Sequence, residues 1–406
     1  MQIDCGICAD REEWNTFVAR EPSFALLQSW GWGEFKEKLG WKPFRIAVRQ
    51  GGTIVAGAQM LIKSFIPGLL GVAYIPRGPI GNWLDAGMAD GLLSALHQIA
   101  RRHHAAFLKI EPPLPNEAAF HRLLEQHGFR ASTQTNQPRA TIILDLDQPL
   151  EELLAQMRKK TRQYIKKAAT EGITVRVGSS GDLPTLYGIM RSTSQREGFP
   201  HHSLDYYKQE WQPFAGNGQA VLLMAVHQDR VQAVRTAYCF GQHAAEFHGG
   251  SLDSAANLHV NYLLAWEAIK WAKTQGCCTY DLWGIPDEIA DIPADRYSVP
   301  PLGGRYSVPP LGGRRSTSVP PLRGGNDPPA SVGTPYPLFG DRTDGLWGVY
   351  RFKSGFGDHL VSYVGAYDYV YSAALYALIS TKLFSVDTLQ RVEARVSGLH
   401  EKGSTG

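Results

Sequence analysis

Three stretches of the chain gather residue types that could do chemistry. Arg158, Lys159, Lys160, Arg162, Lys166 and Lys167 fall within RKKTRQYIKK, a run with no acid. On a helix these six charges would wrap most of the non-buried surface. Such a local field holds a phosphate-rich partner such as RNA; the plainer reading is a solvated helix face. Residues 26–41, LLQSWGWGEFKEKLGW, set three tryptophans beside Lys36 and Lys38. Tryptophans so dense form a core or domain interface, or line a ligand cleft. Residues 347–357, WGVYRFKSGFG, place Lys353 directly after Phe352. An ammonium there could face an anionic ligand or offset developing negative charge. The alternative is a surface lysine beside a core phenylalanine.

Other candidates are weaker. Cys5 and Cys8 have metal or redox spacing, but zinc needs four ligands and no second CxxC or HxxxH exists. They read as two semi-buried thiols on the first strand. His103-His104 and His201-His202 are adjacent pairs whose side chains diverge in regular structure, so no metal site is expected. No GxSxG, Walker A or GxGxxG stands in a strand–helix context. The formal net charge is +3, so any basic site must be local. Aromatic residues at 11% exclude a mainly disordered chain. Five cysteines fit a reducing cytoplasm rather than a disulfide scaffold. The N-terminus has no basic region and apolar core of a signal peptide. No apolar run is long enough to span a membrane. The best membrane-contact candidates are residues 65–74 and 367–383.

The elements that must position these residues form two similar series. Residues 44–49 and 53–63 read as strands around a Gly-Gly turn, followed by a strand at 71–76, a helix at 87–102 and a buried strand at 106–110. The same order returns as strands 220–226, 231–240 and 244–249, a helix at 258–274 and a strand at 278–282. The near-constant offset predicts two α+β domains of one fold, each a largely antiparallel sheet with helices against it. One long helix over about residues 148–169, stopped by Gly172, is expected to join them. RYSVPPLGG occurs at 296–304 and 305–313, with a degraded copy at 314–325. Pro-Pro and Gly-Gly in the units oppose helix and sheet ladders, so a disordered insertion is expected.

Together, residues 26–41, YIPRGPI (74–80), MRKKTRQYIKKAATEGI (157–173), HVNYLLAWEAIKWAKTQGCCTYDLWGIPD (259–287) and WGVYRFKSGFG resemble the FemABX family of peptidoglycan bridge-forming aminoacyltransferases. The resemblance implies an α+β chain of two tandem GNAT-like acyltransferase domains. The first would span 1–147 and 359–390, the second 148–358 with an inserted loop at 288–342, and 391–406 would be a flexible tail. Residues 359–385 would return to the first domain. The family's helical arm is expected to be absent, because the chain near 165–175 runs straight into a strand.

The implied activity is transfer of an amino acid from aminoacyl-tRNA to an amine of a peptidoglycan-precursor stem peptide, UDP-linked or lipid-linked. The resemblance further implies a cytoplasmic monomer without cofactor, in peripheral contact with the inner membrane face. By similarity Lys353 and Phe352 sit at the chemistry, and Lys36 and Arg196 hold acceptor phosphates. Tyr74 and Arg77 line the same groove, and the six basic residues of 158–167 contact tRNA. Asp287 and Glu34 are candidate bases for the attacking amine. His248, in EFHGGS (246–251), stands where an aromatic is expected. The competing readings are an acyl-CoA N-acyltransferase, a non-enzymatic RNA-binding module, and a scaffold recruited through the repeats.

Replacing residues 296–325 by a short Gly/Ser loop should leave the melting temperature nearly unchanged. Closure entropy changes slowly with loop length, and no core residue is lost. A large fall measured by calorimetry would show that the repeats pack on the body.

Overall fold

The computed structural model describes residues 3–66, 68–292 and 346–380. The repeats at 296–325 and the tail at 391–406 lie outside these residues. Two mixed sheets organise the rest. The first contains β1 (Ile3–Ile7), β2 (Lys42–Gln50), β3 (Thr53–Ile66), β4 (Leu70–Ile75), β5 (Ile80–Gly81), β6 (Ala105–Ile110) and β7 (Arg130–Ala131). The second contains β8 (Ala140–Asp145), β9 (Thr174–Val177), β10 (Ala220–His227), β11 (Arg230–Phe240), β12 (His243–Ser251), β13 (Thr279–Gly284) and β14 (Leu360–Ser362). Strand β15 (Tyr367–Val370) returns to the first sheet, between β6 and β7.

The two strand orders match position by position. The first reads β1-β2-β3-β4-β6-β15-β7, with β5 beside β3, and the second β9-β10-β11-β12-β13-β8-β14. Each has one parallel pair, β4 with β6 and β12 with β13. Parallel neighbours need a crossover, and the helices Ala86–Arg102 and Val260–Thr274 supply it. Both helices press an apolar stripe on their own sheet. Leu92, Leu93, Leu96 and Ala100 do so in the first; Leu263, Leu264, Ala268, Ile269 and Ala272 in the second. The expected duplication is therefore real at the level of topology. The hairpin between β2 and β3 turns on Gly51 and Gly52, both at positive φ, which glycine adopts without strain.

Two elements differ from the sequence expectation. The long helix over 148–169 is two helices, Leu150–Gln156 and Lys159–Thr170, with Met157 and Arg158 extended between them. The apolar periodicity runs on unbroken, so the cause is tertiary. Met157 is buried in the second core, and the Arg158 N–H donates to the Gly355 carbonyl at 2.9 Å instead of continuing the ladder. The Arg162 guanidinium fastens the break by donating to the carbonyls of Ala155 and Met157. Residues 359–385 do not all return to the first sheet either. Leu360–Ser362 pairs with β8 in the second sheet, because the apolar β8 has an open edge there, and the chain rejoins the first sheet only at Tyr367. Strand β8, within the stretch 1–147, also belongs to the second sheet. After Thr170 the chain enters β9 at Thr174, with no inserted arm.

Gly355 fixes how the segment 347–357 meets the basic helix. A Cβ there would overlap Thr161 Oγ1 and sit 3.1 Å from the Phe352 carbonyl oxygen. Gly355→Ala should therefore cost about 1–3 kcal/mol of stability, read from the urea midpoint. Much of the loss should disappear in a Thr161→Ala background. An unchanged midpoint in the single variant would contradict this contact.

Candidate active site

The two parallel strand pairs end differently. In the first sheet β4 and β6 stay paired to Ile75 and Ile110, and the Glu111 N–H then donates to the Ile75 carbonyl at 3.1 Å. A buried polar plug closes this end. The Tyr74 hydroxyl donates to Glu111, whose carboxylate also accepts from the N–H groups of Asn136 at 2.6 Å and Gln137 at 3.0 Å. Burial pushes both the Glu111 and Tyr74 pKa values up. Tyr74 is thus a buried member of the plug.

In the second sheet β12 and β13 pair only from His243–Ala245 against Thr279–Asp281, although both strands continue. Each bulges where the pairing stops. Strand β12 carries an extra residue between Glu246 and Gly249 opposite β11, and β13 carries one between Asp281 and Gly284 opposite β8. Bulges bend a strand and end its pairing; Trp283, at φ 62°, marks the bend in β13. The strands part, and main-chain groups that a ladder would occupy are left without ladder partners.

Charged side chains collect at this opening. Arg235 on β11, Glu246 on β12, Asp281 on β13 and Lys353 on the helix Trp347–Lys353 expose only 5%, 7%, 4% and 7% of their surface. Glu246 accepts from the Arg235 guanidinium and lies 3.6 Å from Lys353 Nζ. Lys353 Nζ donates to the Gly284 carbonyl at 2.9 Å, at the end of β13. Asp281 accepts from the Thr141 hydroxyl and, at 2.7 Å, from the Trp283 N–H. Burial holds Lys353 below the usual lysine range; the Glu246 charge opposes this and the Arg235 charge adds to it. Burial pushes Asp281 up, against the pull of Thr141, Arg77 and Lys353. Arg77 comes from the first sheet's side, stacked 4.3 Å above Tyr363 and 5.4 Å from Trp283, with Nη2 donating to Pro138. The Phe352 ring packs on Tyr262 and Phe356 and carries the Arg235 guanidinium at 5.5 Å. The arrangement offers a fixed, dry ammonium beside opened main chain, a geometry that can stabilise charge developing on a carbonyl oxygen.

The other expected residues have partners of their own outside this cluster. Lys36 Nζ lies 4.9–5.5 Å from the rings of Phe35, Tyr206 and Trp32. Arg196 pairs with Glu197 at 2.7 Å and with Asp253, so the two cations have different partners. On the basic helix Lys159, Lys160, Lys166 and Lys167 are exposed, whereas Arg158 and Arg162 are half-buried and engaged at the helix break. Neither candidate base is idle. Asp287 accepts from the Arg139 N–H and Thr135 hydroxyl, and Glu34 pairs with Arg11. His248 Nε2 lies 2.7 Å from the buried Glu210 carboxylate, which also accepts from the Tyr238 hydroxyl. Sequence reasoning missed Arg235, Glu246 and Asp281. The available signal was a charge inside an otherwise apolar strand, as in AVRTAY, AAEF and TYDLW.

The fold is α+β, two sheets of matching strand order with no arm inserted between Thr170 and Thr174. The crystal structure of FemX superposes with a TM-score of 0.72 at 20% identity, covering 94% of this chain and 100% of that one. The FemAB family model matches residues 9–233, more than half of the chain, and the protein belongs to the FemAB family. Lipid II:glycine glycyltransferase of Staphylococcus aureus strain MRSA252 is 29% identical over 223 residues, 52% of this chain and 53% of that protein. The protein of the same description from strain USA300 is 28% identical over the same length. The chain spans about half the length of the curated relatives it matches.

Removing Glu246 leaves Arg235 and Lys353 buried without their shared counter-charge. Glu246→Gln should cost about 3–5 kcal/mol near neutral pH. Because the folded-state Lys353 pKa lies below that of the unfolded chain, the unfolded chain binds more protons between the two values. Stability therefore rises with pH across that window, up to about 10.4. The rise should be steeper in Glu246→Gln, which lacks the group opposing the shift. Urea titrations from neutral pH upward check this; parallel curves for the two proteins would contradict it.

Proposed function

We propose that the protein transfers an amino acid from aminoacyl-tRNA to an amine of a peptidoglycan-precursor stem peptide, in the cytoplasm at the inner membrane face. The observation that carries the reading is the buried Lys353–Glu246–Arg235 cluster where β12 and β13 part, formed in part by WGVYRFKSGFG. The relatives' description as lipid II:glycine glycyltransferases supports the acceptor class.

An aminoacyl ester is already activated, so the protein must mainly align two substrates. The neutral acceptor amine attacks the ester carbonyl and a C–N bond forms; as the tetrahedral oxyanion collapses the ester C–O bond breaks, and the proton lost by the amine nitrogen passes to the ribose oxygen, which leaves as the hydroxyl. Lys353 stabilises that oxyanion or the adjacent acceptor-stem phosphates, and Phe352 with Tyr262 and Phe356 holds the helix end in place. Lys36 and Arg196 hold acceptor phosphates, the latter by exchanging its exposed carboxylate partners. Arg binds such groups through two parallel hydrogen bonds, Lys as a point charge. Arg77 braces the wall made by Trp283 and Tyr363. The exposed lysines 159, 160, 166 and 167 carry the tRNA. The protein acts as a monomer.

The test is incubation with charged total tRNA and UDP-linked or lipid-linked muropeptide, read by mass spectrometry; the added mass names the amino acid. Lys353→Ala should keep its fold and acceptor affinity but lose about 2.7–4 kcal/mol of transition-state stabilisation, and Lys353→Arg should recover only part. Lys159→Glu, Lys160→Glu and Lys166→Glu combined should weaken all tRNAs alike and flatten the salt dependence. Transfer from acyl-CoA without RNA, or full activity in Lys353→Ala, would contradict the reading.

A further inference from the structure

The end of the first sheet remote from Arg77 has a composition unlike the rest of the surface. There the β3–β4 hairpin closes with Phe65, Ile66, Leu69 and Leu70. Ile66 is 48% and Leu69 65% exposed, while Phe65 and Leu70 pack on the core beneath. Gly71 pairs with Ala105, and its N–H donates to the His104 carbonyl at 2.9 Å. This brings the end of the helix Ala86–Arg102, with Arg101, Arg102, His103 and His104, to the base of the hairpin. Lys42 lies alongside, over the Phe44 ring, which itself contacts His103. The Tyr371 N–H donates to Ala106, so the helix Ala373–Ser380 leaves the sheet from the same end. It carries no charge, seats Ile379 in the core with Trp41, Val72 and Phe107, and leaves Leu378 57% exposed.

No Asp or Glu occurs between Trp41 and Leu84, between Gly91 and Ile110, or between Tyr369 and Ser380. The segments that meet here therefore provide apolar, uncharged polar and basic side chains but no carboxylate. Single exposed apolar residues are ordinary, but an apolar tip with a basic rim and no acid is matched by one kind of surface. We propose that this end docks on an anionic lipid bilayer. Ile66 and Leu69 enter the boundary between headgroups and acyl chains, and Lys42, Arg101 and Arg102 meet the headgroup charge. A second copy of the chain is a poorer occupant, because it would set these cations against one another. From Leu70 to Ile75 β4 spans roughly 17 Å. Docking by the tip therefore holds Arg77 and the parted strands off the bilayer, within reach of a headgroup that projects from it. The inference deepens the reading above by naming the surface that meets a lipid-linked acceptor.

The test uses the full chain and unilamellar vesicles of phosphatidylcholine with or without phosphatidylglycerol, in the absence of tRNA and acceptor. Flotation should show binding to the anionic vesicles only, weakening as salt is raised. Ile66→Ser with Leu69→Ser, and separately Arg101→Gln with Arg102→Gln, should each reduce that binding by about tenfold or more at an unchanged melting temperature. With UDP-linked acceptor in solution both variants should transfer as well as the parent, whereas transfer to vesicle-embedded acceptor should fall. No binding to anionic vesicles, or equal binding by the variants, overturns the proposal. So does a concentration-dependent dimer that Leu69→Ser disperses, which would assign the face to a second copy. Vesicle binding that follows these expectations in a protein with no aminoacyl transfer would leave the docking surface standing and remove the proposed function instead.

Discussion

The candidate site of this chain depends on one event, the separation of β12 from β13 after Ala245 and Asp281. A parallel pair that stays zipped can be closed by ordinary hydrogen bonds, as β4 and β6 are by Tyr74, Glu111, Asn136 and Gln137. A pair that opens inside a dry interior must be filled by something that tolerates burial and supplies donors. Here Arg235, Glu246 and Lys353 fill it, with Lys353 reaching the Gly284 carbonyl. Buried ion pairs of this kind add little net stability compared with apolar packing. A cluster that costs desolvation and sits at an opened strand end is where chemistry is expected.

The duplicated topology explains how one half can be specialised without losing the fold. Both sheets keep the same strand order and the same crossover helix, so the apolar layers of each are satisfied independently. The face between them is filled by the tryptophan segment: Trp32 and Phe24 pack edge-on against Phe247, which in turn meets Trp283. The same segment puts Lys36 against Tyr206 of the second half. The first half thus sets Lys36 against Tyr206 and Arg77 beside Trp283 of the second.

Much of this was legible from residue order. The strand pairs and crossover helices could be read because their apolar residues follow the two simple periods, and the Gly51-Gly52 turn because only glycine adopts that backbone freely. Lys353 stood out by its setting beside Phe352. Its partners did not, because Glu246 and Arg235 come from strands that read as ordinary core. The helix break at Met157 and Arg158 was invisible for a different reason. It is fixed by Gly355, far along the chain, and no local pattern reports a contact at that separation. Tyr74 looked like a groove residue beside Arg77, yet alternation along β4 sends its side chain into the plug with Glu111.

The most direct measurement of the central claim is photocrosslinking with an aminoacyl-tRNA that carries the reactive group on its aminoacyl moiety, followed by peptide mapping. If the parted strands of the second sheet form the reaction centre, adducts fall within residues 246–251, 280–285 or 347–356. Adducts confined to residues 74–80 or 109–111, at the closed end of the first sheet, would contradict it.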